Sequence, residues 1–293
     1  PGFLPGSAWN EMRREALDKL LQKRSEPAPL ATKEITLPEY AEHEVGMIPQ
    51  LAARFETAAQ LPGAEYLAKL RYLILPIREA DAVPQPLRCK TLQELPRAAV
   101  GTVEPDTMRR LAALEGSGFA GVVANNLAQF GYASPLPVFG GLGLNVTNPM
   151  SAAEYVCLGA RGLLVQPETA LTAMRAVAPR QKDGTPVPTA ALCYGHLPLM
   201  LTRACPLRNV RTSCVGCTHK GKLRDRKGRD FPVRCSAPGS AGMRTVFNPV
   251  PLYMGDRLTE MPVDLVVAAF TLEPADRVEE VLTHLFHQQP FDG

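Results

Sequence analysis

No run of eighteen or more apolar residues occurs in this chain of 293 residues, and its longest apolar pieces are short, such as Val263 to Phe270. That lack excludes a helix crossing a membrane. A basic stretch followed by an apolar one, the mark of a secretory signal, is also missing. The chain opens Pro1-Gly2-Phe3 without an initiator Met and reads as the cut end of a longer protein, whose other domains are then expected partners. Neither G-x-G-x-x-G nor G-x-x-x-x-G-K-S/T is present, so a nucleotide-binding doubly wound fold loses its phosphate-cradling loop. H-E-x-x-H and G-x-S-x-G are absent too, and His284 and His287 have no carboxylate between them. Metalloprotease and serine hydrolase chemistry therefore lack sequence support. Low-complexity segments are absent, and the 28 prolines are spread through turns and element starts.

Cysteine is present seven times, an odd number spread unevenly over a chain far larger than a disulfide-stapled mini-protein. A reducing cytoplasm fits this usage. Cys89, Cys157 and Cys193 sit in apolar surroundings and read as buried packing. The other four, Cys205, Cys214, Cys217 and Cys235, fall in one stretch in the order C-x8-C-x2-C-x17-C. A C-x-x-C pair within one turn lets two thiolates face one ion, so these four are the candidate metal ligands. Zinc and an iron-sulfur cluster both accept four cysteines, and spacing alone does not choose between them. His219 is a substitute ligand or, more simply, a surface histidine. From Arg203 to Cys235 there are ten Lys or Arg against two Asp, so the stretch carries +8 in a chain whose net charge is +3. Arg208, Arg211, Lys220, Lys222, Arg224, Arg226, Lys227 and Arg229, with Arg234, form a basic patch suited to RNA or another anionic ligand. The competing reading is a solvated charged loop. No aromatics interleave with these charges as on single-strand stacking platforms.

The chain opens with a loop and a helix in which Trp9, Met12, Leu17, Leu20 and Leu21 recur at helical spacing, with Ser7 as the expected N-cap. A polar, proline-bearing connector follows, so residues 1–30 read as a helical lead-in and residues 31–293 as the main domain. Within the latter, β-prone runs alternate with amphipathic ones. Strands are expected at Glu34–Leu37, Leu70–Leu75, Arg97–Gly101, Phe119–Ala124, Leu142–Val146, Gly162–Val165, Thr189–Tyr194 and Asp264–Phe270. Helices are expected at Ile48–Gln60, Pro105–Glu115, Ser151–Leu158, Glu168–Ala178 and Pro274–His287. Alternation at this spacing implies a parallel sheet, and about eight units favour a closed TIM-barrel-like (β/α)8 barrel. The Cys-rich segment, residues 203–242, is then a metal-binding insertion. Residues just past parallel strand ends converge on one rim. Asn125, Asn145, Asn148, Glu168, Tyr194 and His196 are the pocket candidates on that basis, with Asn126 and Gln166 beside them. No residue stands out as a catalytic group, although a cysteine nucleophile paired with His196 is an arrangement to test.

At Tyr194-Gly-His-Leu-Pro-Leu-Met200, with Cys205, Cys214-x-x-Cys217, Leu223-Arg-Asp225-Arg226 and Phe231-Pro-Val233, the sequence resembles the peptidase U32 family, also called collagenase-like. It is most similar to the C-terminal barrel of the long members. The opening Leu4 to Leu20 resembles the segment leading into that barrel, Leu144 to Asn148 its "LNVxN" strand end, and Phe247-Asn248-Pro249 a closing feature. The resemblance implies a TIM-barrel-like fold and a family named for peptidase activity. Its better understood relatives act in hydroxylating ribosomal RNA, transfer RNA or a quinone precursor, and several hold a four-iron, four-sulfur cluster on four cysteines. Where those relatives carry a cysteine seven residues before the position of Cys205, this chain has Pro198, which favours zinc over the cluster. The first functional expectation is a barrel whose metal-tied basic loop assists RNA hydroxylation or a related modification. The alternatives are a peptidase and a non-catalytic module of a larger protein.

Overall fold

A computed structural model of the protein describes residues 4–28, 42, 47–132, 134–208, 214–236 and 242–291. The chain divides into two units, Pro1–Glu39 and Tyr40–Gly293. The first contains helix α1 (Gly6–Ser25), whose Lys19 Nζ reaches Glu15 one turn back at 2.7 Å. Its N-cap is Pro5 rather than Ser7, which lies inside the first turn and makes no cap bond. The strand expected at Glu34–Leu37 lies outside the described residues.

In the second unit, seven strands come first: β1 (Gln50–Arg54), β2 (Leu73–Pro76), β3 (Thr91–Glu94), β4 (Gly121–Ala124), β5 (Val138–Gly140), β6 (Leu163–Leu164) and β7 (Thr189–Gly195). Short helices α2 (Ala64–Lys69), α3 (Gln85–Arg88), α4 (Val103–Ala112), α5 (Pro149–Cys157) and α6 (Leu171–Met174) fall between them. Four further strands, β8 (Pro198–Thr202), β9 (Lys220–Arg224), β10 (Asp230–Cys235) and β11 (Arg244–Phe247), make a separate antiparallel sheet in the order β8-β11-β10-β9. The chain then adds β12 (Leu252–Tyr253) antiparallel to β7 and returns through β13 (Leu265–Ala269) to α7 (Ala275–Phe286). β13 pairs in parallel with both β7 and β1, and β6 pairs with β7, so eight parallel strands close on themselves. This is a TIM-barrel-like α/β fold, with the small sheet inserted between its seventh and eighth strands.

Period-two alternation explains the layers. Ala53, Phe55, Leu73, Leu75, Val122 and Val266 point outward into a core shared with the helices, and all are fully buried. From α7, Val278, Val281, Leu282 and Leu285 fill the same layer at helical spacing. Where β7 and β13 end side by side, Gly195 takes φ +134°, and an added Cβ would stand 2.4 Å from the Ala269 carbonyl oxygen. Only glycine permits that approach.

Several expected elements are corrected. The helix at Ile48–Gln60 is instead β1 followed by a 3-10 turn at Ala58–Gln60, because Leu51, Ala53 and Phe55 alternate with Gln50, Ala52 and Arg54. Two adjacent alanines hid that alternation. The strand at Arg97–Gly101 is irregular, and the barrel strand lies earlier, at Thr91–Glu94, disguised by the buried polar residues Thr91 and Gln93. Leu142–Leu144 is a 3-10 turn ended by Asn145 in the left-handed region, and the strand is Val138–Gly140. The helix at Glu168–Ala178 shrinks to Leu171–Met174. Of the three cysteines expected inside, only Cys193 is buried, while Cys89 and Cys157 are exposed on short helix ends where no core layer covers them.

Candidate functional site

The C-terminal ends of the barrel strands surround the mouth of a cavity of about 750 Å³. Consecutive strand ends deliver charge to it: Arg54 and Glu56 after β1, Arg78 after β2, Glu94 and Arg97 after β3. Arg54 is the hub. Its guanidinium donates to Glu94 Oε2 at 2.7 and 3.0 Å and to Glu56 Oε2 at 2.6 Å. Glu56 also receives Arg78 and lies 3.7 Å from Arg234 Nε, which reaches in from β10. Burial alone would raise the Glu56 carboxyl, but the three arginines outweigh it and hold it at about 2. Burial lowers the Arg97 guanidinium below its ordinary value, with Glu94 acting in the opposite sense.

Asn125 locks three loops together. Its Nδ2 donates to the Leu95 carbonyl at 2.9 Å and its Oδ1 accepts from Gly143 N at 3.2 Å. Gly143 sits so close that an added Cβ would lie 2.0 Å from the Asn125 carbonyl oxygen.

The inserted sheet walls the mouth. Residues directly opposite each other in antiparallel strands share a face. Leu201 pairs with Thr245, Thr245 with Arg234 and Arg234 with Lys220, so one row crosses the sheet. Leu201 and Thr245 line the cavity, and Arg234 donates to the Thr271 carbonyl and approaches Glu56. Lys222 and Arg224 follow Lys220 on the same face of β9 and both hold Asp230, at 2.5 and 2.7 Å. Hydrogen bonds to those two cations push the Asp230 carboxyl far down. At the hairpin tip, Asp225 Oδ1 accepts from Lys227 N and Arg229 N, which turns Arg226, Lys227 and Arg229 out to solvent. Arg208 is exposed, and Arg211 lies outside the described residues.

All four candidate metal ligands emerge at one end of this sheet. Cys235 ends β10, Cys214 and Cys217 precede β9, and Cys205 follows β8. Cys235 N donates to the His219 carbonyl at 2.9 Å, and His219 N donates to Cys217 Sγ at 3.4 Å. Cys217 N closes the C-x-x-C turn on the Cys214 carbonyl at 3.2 Å, with Gly216 at φ +68°. Among the described residues, no group of three or more His, Cys, Asp or Glu side chains is already gathered at metal-binding distance. The donor set nevertheless suits a soft or borderline ion in chemistry and topology, since four thiols leave the same end of one sheet.

Of the pocket candidates, the structure brings Asn125 and His196 to the cavity. His196 Nδ1 bonds the Asn248 carbonyl at 2.8 Å. The others do not line it. Asn126 and Asn148 accept from backbone N–H groups at the starts of a 3-10 turn and of α5. Asn145 pairs with Gln166, and Glu168 is exposed. Tyr194 points outward into the core and donates to Glu273 at 3.0 Å. Cys193 also faces the outer core and is fully buried, which drives its thiol strongly upward. It does not share the cavity with His196. The arginine and glutamate cluster went unread in the sequence, although Arg54-Phe-Glu56, Ile77-Arg78-Glu79 and Glu94-Leu-Pro-Arg97 repeat a charged signature at three successive strand ends.

Fold and site define an eight-stranded parallel barrel with an ion-paired, arginine-rich mouth walled by a basic insertion. No family model matches the chain, and no curated protein matches it. Among solved structures it is similar to the U32 peptidase Mk0906, at 12% identity and TM-score 0.42 over 81% of this chain and 98% of that one. It is also similar to the Bacillus cereus spore cortex-lytic enzyme SleL, at 11% identity and TM-score 0.35 over 89% of this chain and 78% of that one. The chitinase ChiW from Paenibacillus sp. str. FPU-7 aligns at 9% identity and TM-score 0.35, over 82% of this chain and 32% of that one. These likenesses are too loose to carry a function to this chain.

Proposed function

We propose that the protein is a U32-like barrel that binds RNA across its mouth and basic hairpin, in support of a hydroxylation or related modification of that RNA. The observation that carries this reading is the cationic row running from Arg234 at the mouth through Lys220 to Lys222 and Arg224, continuous with Arg54, Arg78 and Arg97. With Asp230 set between Lys222 and Arg224 the row still carries an excess of positive charge, which matches a phosphate backbone whose neutralisation releases counterions. The reaction class rests on the motif resemblance at Tyr194–Met200 and in the Cys-rich insertion. Cys205, Cys214, Cys217 and Cys235 would hold zinc, or in the alternative an iron-sulfur cluster, and that ion would fix the loops from which the basic strands start. A structured RNA titrated by fluorescence anisotropy tests the reading. Affinity should fall steeply with salt, and charge reversal at Lys220, Arg226 and Arg229 should lower the logarithmic salt slope by about 1 for each phosphate no longer neutralised. Binding that is absent at low salt, or indifferent to salt, would refute it.

A second reading, a binding module without chemistry of its own, is favoured by the pairing of the mouth carboxylates. Glu56 and Glu94 both face Arg54, and neither is placed as a free general base. RNA binding that persists in the chain and in its Asn125→Ala and His196→Ala variants, with no modified nucleoside detected by mass spectrometry in any of them, would select it. The peptidase reading loses its cysteine nucleophile, since Cys193 is buried away from the cavity.

A further inference from the structure

The interior of an eight-stranded parallel barrel is ordinarily filled by layers of large side chains. This one is hollow. The inward positions of three adjoining strands carry alanine, Ala52 on β1, Ala190 on β7 and Ala269 on β13, and the cavity runs from the mouth down to Tyr72 and Leu265 at the N-terminal strand ends. Ile74, Leu164 and Ala190 inside the barrel stay only half-buried, whereas their outward neighbours Leu73, Leu75 and Ala191 are at most 1% exposed. Below the mouth the wall is almost entirely apolar, and ordered water needs several polar partners to settle in such a space. Tyr72 and Phe139, with ring centroids 6.0 Å apart, supply the aromatic part of that wall.

The mouth offers two unused polar groups. Arg97 is half-buried and feels Glu94 only through space, with no ion pair within 4 Å among the described residues, while Arg54, Arg78 and Arg110 are each paired at short range. Thr271 is 6% exposed, lines the same cavity, and its hydroxyl has no hydrogen-bond partner among the described residues. One cation without a hydrogen-bonded carboxylate, above an apolar shaft, selects one negative charge on an apolar body. From Leu265 to Ala269 the strand runs about 13 Å at ~3.3 Å per residue, and its tilt of about 36° to the barrel axis makes the shaft about 11 Å deep, close to the length of a ten-carbon chain.

We infer that the barrel lumen binds an amphiphilic acid, its unbranched apolar tail in the shaft and its single acidic head group on Arg97. This inference goes beyond RNA binding and does not depend on it, because the shaft lies beneath the charged row. Calorimetric titration of the purified chain with acetate, octanoate, decanoate and decanol tests it. Decanoate should bind at one site, acetate should not bind detectably, and affinity should rise about fourfold per added methylene. Arg97→Gln should weaken decanoate about tenfold and leave decanol unchanged. Ala190→Phe should abolish both while RNA binding persists, and Ala269→Leu serves as a second filling variant should the first fail to fold. Acetate and decanoate binding alike, no decanoate binding, or decanoate binding unaffected by a folded filling variant would each overturn the inference. Because RNA titration is run on the same variants, loss of one activity is read separately from loss of the other.

Discussion

Glu56 carries the charge balance of the mouth, since among the described residues it is the one carboxylate that three arginines approach. Its pKa falls from an ordinary 4.5 in the unfolded chain to about 2 in the fold. A depressed carboxylate contributes stability that is complete above the unfolded value and lost as pH drops through the folded one. Urea denaturation across pH should therefore show stability declining from pH 4.5 toward 2, with Glu56→Gln removing about 3 kcal/mol of that acid limb. At neutral pH the same variant should be destabilised by a similar amount, because three guanidiniums are left facing one another. Thiol chemistry separates the cysteines in the same manner. Cys89 and Cys157 should react with a maleimide within the native state, and Cys193 only after unfolding, as mass spectrometry of timed samples would record. Gly143→Ala should cost several kcal/mol, at the top of the range for point variants, because its Cβ would meet backbone rather than a side chain that can move.

At the scale of elements, the insertion buries few large apolar side chains, chiefly Val233, Val246 and Phe247. β9 and β10 bury Val233 and little else, and their loops carry the four cysteines. If a metal holds those loops, a chelator should open the insertion and leave the barrel folded. Limited proteolysis would then cut between residues 203 and 241 while far-UV circular dichroism stays unchanged, and equal cutting with and without chelator would argue against a structural ion. How much of this was legible in the sequence follows the same division. β4, β7, β13, α4, α5 and α7 were readable because apolar periodicity and length agree in them. β1 and β3 were not, because a lumen lined by Ala52 and an outward face carrying Gln93 remove the apolar run that marks a buried strand. Misplacing those two strands hid the mouth, since Arg54, Glu56, Glu94 and Arg97 are rim residues only once β1 and β3 are in register. Asn125 and His196 were legible because they follow strands that were read correctly.

For the whole molecule, the hollow lumen sets a constraint. A dry apolar void of about 750 Å³ would cost more than the entire stability of a domain, so the space must be open to solvent or filled. A ligand that fills it acts by mass action, and decanoate at ~100 times its dissociation constant should add about 2.7 kcal/mol to unfolding, seen as a raised thermal midpoint. The two roots of the insertion bear on the fold in another way. Asn248 N donates to the Leu197 carbonyl at 3.0 Å, and Leu197 N donates to Asn248 Oδ1 at 2.7 Å. The chain thus leaves the barrel and re-enters it at the same spot, like a stem that supports a separate head. A turn of about four residues would span the gap. Replacing residues 198–247 by such a turn should yield a barrel that still melts cooperatively, with the lumen unroofed and, on the proposed reading, no affinity for RNA. In that sense the insertion is a transplantable head: its specificity could be exchanged for another without redesigning the barrel beneath it.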